Sequence, residues 1–281
     1  QTASRFTIVD VSNPSAPTIR GSVSDATQLG TQDHVFVVGR YAYVTTQGGR
    51  FTVIDVSNPA SPTIVSSLSG LGGGRGLYVA GKFAYMTDSS GNRLLIIDIS
   101  DPNNPFIAGC LRDATNLVGA LAVFVQGKYA YVAALTSDRL TIVDVSNTTT
   151  PAVVGSVTNA TDLDGPHEVY VSGKYAYVPT TGTSDVSNGS LTIVNISNPA
   201  SPSITGVLKP STPDIQAPQD VQVIGQFALV ASTSGDRVTL VDISNPASPQ
   251  VASSLSNALL NQTHFAKVSG RFAYVSSLSA D

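Results

Sequence analysis

The chain has 281 residues, 42% of them hydrophobic but only 12% charged, and carries a formal net charge of −4. That charged share is about half the usual one, so the polar surface falls to Ser, Thr, Asn, Gln and backbone. With no basic run there is no electrostatic footprint for nucleic acid, and no apolar run approaches the roughly 18 residues of a membrane span.

The chain does not begin with Met and shows no signal peptide, which reads as a mature or trimmed product. A single cysteine, Cys110, excludes an intrachain disulfide. It stands in an apolar strand, where a buried thiol is expected.

From the first residues onward one segment keeps returning. It reads RFTIVDVSNPSAP from Arg5, FTVIDVSNPASP from Phe51, RLLIIDISDPNNP from Arg93, RLTIVDVSNTTTP from Arg139, SLTIVNISNPASP from Ser190 and RVTLVDISNPASP from Arg237. Its acidic position falls at Asp10, Asp55, Asp98, Asp144, Asn195 and Asp242. A spacing in the forties marks a repeat architecture and organises everything else.

Within a unit the reading is four short strands. GLYVA (76–80), FAYMT (83–87), RLLIIDIS (93–100) and FIAGCL (106–111) are runs rich in Val, Ile, Tyr and Phe, punctuated by Gly and Pro. Gly39-Arg40, Gly81-Lys82, Gly127-Lys128, Gly173-Lys174, Gly225-Gln226 and Gly270-Arg271 join the first two strands. Gly at the first central position suits a type II′ hairpin. The SNPASP segment turns the third strand into the fourth, and the acidic residue before it is expected to anchor that turn by accepting backbone N–H bonds.

The ends complement one another. The chain opens on a third strand (Arg5–Ser12) and a fourth (Thr18–Val23), and closes on a first (Phe265–Ser269) and a second (Phe272–Ser276). The expected fold is therefore all-β: one domain over 1–281, a six-bladed β-propeller of four-stranded antiparallel blades. Its last blade takes two strands from each terminus, a 2+2 latch.

VIDVSNPASP preceded by YAYV-type strands resembles the LVIVD repeat of bacterial, archaeal and environmental surface proteins. The resemblance spans nearly the whole chain and implies a propeller, often extracellular or associated with the cell envelope. It implies no activity. Asn195 in place of Asp, the longer loop Thr180–Gly189 and Leu229 in place of Tyr depart from the pattern.

In a propeller the starts of the innermost strands face the central channel. Here those positions carry Asp33-His34, Arg75, Leu121, His167-Glu168, Gln219-Asp220 and His264. Three His, two Asp and one Glu would suit a divalent cation such as zinc; the same mouth, with Arg75 for an anion, would take a small polar ligand. A solvated polar mouth with no ligand is the alternative, and no cofactor is otherwise expected. Neither HExxH, GxSxG nor a phosphate-binding GxxxxGK occurs. On the opposite face Arg40, Lys82, Lys128, Lys174 and Arg271 read as solvated turn residues, or as a ring for an acidic polymer.

Sequons at Asn147, Asn159, Asn188, Asn195 and Asn261 are candidate N-glycan sites, with Asn195 disfavoured inside a strand. The expected function is a non-enzymatic extracellular or cell-surface module, structural, adhesive or assembling into a layer or fibre. Its partner would be a protein or polysaccharide at the cell surface, or other copies of itself through blade edges or the loops Thr180–Gly189 and Lys209–Gln219. A hydrolase or lyase acting at the channel mouth is the alternative.

Overall fold

Each copy of the repeat folds into an antiparallel meander, because alternating apolar residues are cut at fixed intervals by turns that local side chains enforce. The coordinates, a computed structural model, describe residues 4–182, 189–209 and 213–277. The chain divides into two compact units, Gln1–Asp113 with Ser146–Pro151, and Ala114–Val145 with Ala152–Asp281.

The first unit opens with the pair β1 (Arg5–Asp10) and β2 (Thr18–Ser24). Two four-stranded blades follow: β3 (Gln32–Val38), β4 (Tyr41–Thr46), β5 (Arg50–Asp55), β6 (Thr63–Leu68), then β7 (Gly74–Ala80), β8 (Phe83–Asp88), β9 (Arg93–Asp98), β10 (Phe106–Arg112). The second unit holds three more. They are β11 (Ala120–Gln126), β12 (Tyr129–Ala134), β13 (Arg139–Asp144) and β14 (Ala152–Thr158); β15 (Tyr170–Ser172), β16 (Tyr175–Thr180), β17 (Ser190–Asn195) and β18 (Ser203–Leu208); and β19 (Pro218–Ile224), β20 (Phe227–Ser232), β21 (Arg237–Asp242) and β22 (Gln250–Ser256). It closes with β23 (Thr263–Ser269) paired to β24 (Phe272–Ser277). The two halves expected of the sixth blade are thus both formed, one at each end, and each stands as a two-stranded sheet. Only short 3₁₀ turns supplement the strands among the described residues.

The first-to-second turns behave as type II′. Gly39 and its equivalents have φ near +60° and the following Arg, Lys or Gln does not, which is the II′ signature and matches the twist of the strands. At the other turn two side-chain caps act in tandem. Asp55 Oδ1 accepts from Ser57 N (2.8 Å), and Asn58 Oδ1 accepts from Ala60 N (3.2 Å). The same pair recurs at Asp10 with Asn13, Asp98 with Asp101, and Asp242 with Asn245. Asn195 and Asn198 repeat it with an amide in place of the acid (2.9 and 3.3 Å), so the departure at Asn195 keeps the turn. These are the contacts that hold the acids ionised: Arg40 and the Ser57 N–H pull Asp55 down to about 2.

Blade packing rests on a station in the fourth strand. Gly155 lies so close to the turn of the next blade that a Cβ there would strike Pro199 O and fall within 2.9 Å of Ala200 C. Gly21, Gly109 and Gly206 face Pro59 to Ala60, Thr148 and Pro246 in the same way. Ser66 occupies this station in β6, and its hydroxyl donates to Pro102 O at 2.6 Å.

Apolar layers fill the spaces between adjacent blades of a unit. In the first, Phe51 and Val53 meet Leu77, Met86 and Ile97; in the second, Leu140 and Ile142 meet Val171, Ala176 and Val194. In four blades a buried Thr on the third strand ties the sheet to the loop before it. Thr141 Oγ1 donates to Asn116 O at 2.6 Å, and Thr52, Thr192 and Thr239 donate likewise to Gln28 O, Asp162 O and Asp214 O, while β9 carries Leu95 at this station. The expectation for Cys110 is corrected: it is exposed. It sits on β10, an outermost strand whose register shifts between Ile107 and Gly109, so the period-2 count that would bury it does not carry through the bulge.

Candidate binding site at the bulged inner strands

The positions singled out at the strand starts share one backbone device. The inner strand carries a β-bulge at its first residues: the register jumps between Gln32 and His34, Gly74 and Leu77, Ala120 and Ala122, Pro218 and Asp220, and Thr263 and Phe265. Asp33, Arg75, Leu121, Gln219 and His264 are therefore the extra residues outside the ladder. In β15 the departure is larger, since only an isolated bridge, Pro166 to Thr180, precedes the strand, and His167 and Glu168 lie between. Bulges re-aim side chains and are frequent beside binding sites. Their recurrence here is invisible to a period-2 reading.

In the first unit the bulge residues neutralise one another. Arg75 Nη1 lies 3.1 Å from Asp33 Oδ1, which also accepts from Gln47 Nε2 at 3.1 Å. Thr45 Oγ1 donates to Arg75 O and receives His34 N. Arg75, the side chain expected to face an anion, is thus paired with Asp33.

In the second unit His167 and His264 come together across Gln219. Their ring centroids are 6.2 Å apart at 76°, and His167 Nδ1 lies 3.2 Å from Gln219 O. Phe265 packs 5.6 Å from His264. Beside them Glu168 Oε1 accepts from Val169 N at 3.0 Å. No group of three His, Cys, Asp or Glu able to hold a metal ion occurs among the described residues.

Asp220 is 1% exposed. Its Oδ2 accepts from Ala266 N at 3.0 Å, and Oδ1 is 3.7 Å from Lys267 Nζ, beyond hydrogen-bond reach. Burial pushes this carboxyl above the usual range, outweighing the opposing pull of Lys267. With Gln222 Oε1 receiving Val268 N at 2.6 Å, Asp220 clamps β23 onto β19. Its role is to position the strand that carries His264.

Beside these residues opens a cavity of about 460 Å³ lined by Gln219, Thr233, Ser234, Asp236, Asn261, Gln262 and His264. Asp236 adopts φ +49° and its Oδ1 accepts from Gln262 N at 2.8 Å, holding two walls together. Sequence reasoning reached His264 but not Ser234, Asn261 as a lining residue, or Gln262. These lie in irregular loops, and only their departure from the repeat marked them.

Arg40, Lys82, Lys128, Lys174 and Arg271 each lie 5.1–5.7 Å from the ring of the next residue, and Arg40 and Lys128 also pair with Asp55 and Asp144. Of the sequons, Asn147 is exposed. Asn159 spends both ends of its amide on a turn, accepting from Thr161 N and Asp162 N and donating to Asp162 Oδ2. Asn188 lies outside the described residues. No helix among the described residues is long and apolar enough to cross a membrane.

Solved structures share this fold at low identity. A Bacteroides uniformis protein carrying a provisional 6-phosphogluconolactonase label aligns with TM-score 0.76 and 13% identity, over 91% of this chain and 79% of its own. The periplasmic gluconolactonase of Pseudomonas aeruginosa gives 0.63 and 15%, over 78% and 67%. A chain of a nidogen/laminin complex gives 0.61 and 12%, over 90% and 88%. At these identities the likeness establishes the β-propeller fold and nothing of activity. No curated protein matches the sequence. The LVIVD repeat model matches residues 3–25, 30–69, 72–112, 119–159, 167–209 and 217–256. With six copies of the repeat along its length, the chain belongs to the LVIVD-repeat family.

Proposed function

We propose that the chain is a non-enzymatic recognition module of the cell surface or extracellular space, adhering to a protein or polysaccharide partner through the cavity of its second unit. The observation that carries this reading is the cavity's chemistry. Its walls present amides, hydroxyls and one imidazole, and Asp236, its carboxylate, is engaged in holding the wall. Such a lining fixes and orients a ligand. The charge-poor, turn-rich surface suits the same setting.

Filling the cavity tests the reading. Fluorescently labelled chain is expected to bind intact cells of its source organism, and Ser234→Trp to lose that binding while keeping its melting temperature. Equal binding by the filled variant refutes the site. A hydrolase reading is favoured by one observation, the paired imidazoles of His167 and His264 on a fold shared with proteins labelled as lactonases. It requires hydrolysis of gluconolactone faster than buffer and loss of that rate in the His167→Ala/His264→Ala double variant. A wild-type rate equal to buffer removes it.

A further inference from the structure

We propose that the cavity between the loop 233–236, the turn 258–262 and the bulge residues Gln219 and His264 takes the neutral ring of a sugar. The inference rests on the recognition reading above and names its ligand. Among the described residues the side chains of Gln219, Ser234, Asn261 and Gln262 make no hydrogen bond to the protein. Three are amides and one is a hydroxyl, so each both donates and accepts. A ligand that matches them must alternate donors and acceptors along its edge, as a run of sugar hydroxyls does.

The charges select further. An anion entering here meets the Asp236 carboxylate, whereas the cations nearest in sequence are elsewhere engaged: Arg237 pairs with Asp214 at 2.9 Å, and Lys267 lies beside Asp220. A metal ion finds one carboxylate, Asp236, among the lining residues, short of the set of ligands it needs. A neutral polyol meets neither difficulty. The volume of about 460 Å³ lies within the usual range for small-molecule sites. The His264 ring, packed on Phe265, offers a flat face for the C–H side of a pyranose.

The chain is to be made in a bacterial host so that Asn261 carries no glycan. Saturation-transfer NMR is then run with glucose, galactose, mannose and N-acetylglucosamine, and separately with gluconate and inorganic phosphate. The expected result is transfer to the ring protons of at least one neutral sugar, with affinity at least tenfold weaker in Asn261→Ala and in His264→Ala, both still folded by circular dichroism. No transfer to any of the four, transfer unchanged in both variants, or binding confined to the two anions overturns the proposal. Cell binding sensitive to Ser234→Trp alongside such a failure leaves the recognition reading standing and removes only the sugar.

Discussion

Gly155→Ala puts the blade-packing station under direct test. The glycine is on β14, and the atoms a methyl group would meet are Pro199 O and the carbonyl carbon and oxygen of Ala200, the latter two at 2.9 Å. All are backbone, and the turn that carries them is fixed by Asn195 and Asn198, so no side chain can swing aside. Relief must come from separating two blades whose interface holds Leu140, Ile142, Val171 and Val194. Overpacking of this kind costs about 1–3 kcal/mol, and the rigid obstacle puts Gly155→Ala near the upper figure. At about 2.1 cal/mol/K per residue for the unfolding entropy, a chain of 281 residues loses roughly 5 °C of melting temperature. Differential scanning calorimetry reads this against two controls. Gly48→Ala, whose nearest atom lies 3.8 Å from the added methyl, is expected to be nearly neutral. Gly225→Ala, with open space but φ +60°, should lose about 1–2 kcal/mol through backbone conformation alone. A Gly155→Ala melting temperature equal to that of Gly48→Ala refutes the packing account.

Acid and base ends of the stability curve should separate two aspartates. Asp55, held at about 2 against an unfolded value of 3.8, adds stability that is complete above pH 3.8 and disappears as pH falls through about 2; Asp55→Asn is expected to flatten melting temperature over that window. Asp220 has the opposite sign, since its carboxyl is raised: stability is greatest below pH 3.8 and declines as pH climbs through the raised value, and Asp220→Asn should abolish the decline. Exposed Cys110 should react fully with a maleimide in the native protein, as judged by intact mass; labelling only after denaturant contradicts its place on β10. Secreted from a eukaryotic cell, the chain should carry glycan at Asn147 and not at Asn159, whose Nδ2 is donated to Asp162; glycopeptide mapping with the reverse occupancy refutes this.

What the sequence made legible was the chemistry that acts within a few residues. The II′ glycines and the acid-then-amide caps of DxSN are local, and both appear in the structure where the pattern puts them. A second local motif escaped notice. Asp25 caps Thr27 N and Gln28 N ahead of the fully buried Leu29, and Asn159 does the same ahead of Leu163; the recurrence of DATQL, DATNL and NATDL was its signal. The bulges were not legible in this way, because a bulge is a relation between two strands. Nor was the exposure of Cys110, which depends on one. The pairing of Arg75 with Asp33 likewise joins β7 to the start of β3 across 42 positions of chain, a distance no motif spans.

A repeat protein separates structure from function by a simple rule of economy. Any residue that recurs at one station has a recurring mechanical task, and here those tasks are visible: Asp55 caps a turn, Thr141 ties a loop, and Gly155 lets the neighbouring turn approach. Recognition needs an asymmetric set of groups, so it must draw on positions where the copies disagree. The inner-strand bulge is such a position, since its backbone recurs while its residue changes from Asp33 to Arg75, Leu121, Gln219 and His264. In the second unit the disagreement is greatest around β19 and β23. There Asp220 and Gln222 accept from the β23 backbone, Gln222 standing where the other copies carry Phe36, Tyr78, Phe124 and Tyr170. Asn257 caps the turn Ala258–Leu260, with Asn261 in place of the buried Leu of DATxL. Positioning groups of this kind set the place of the strand that bears His264, and with it one wall of the cavity. The repeat therefore supplies the frame, and the site is assembled from its exceptions.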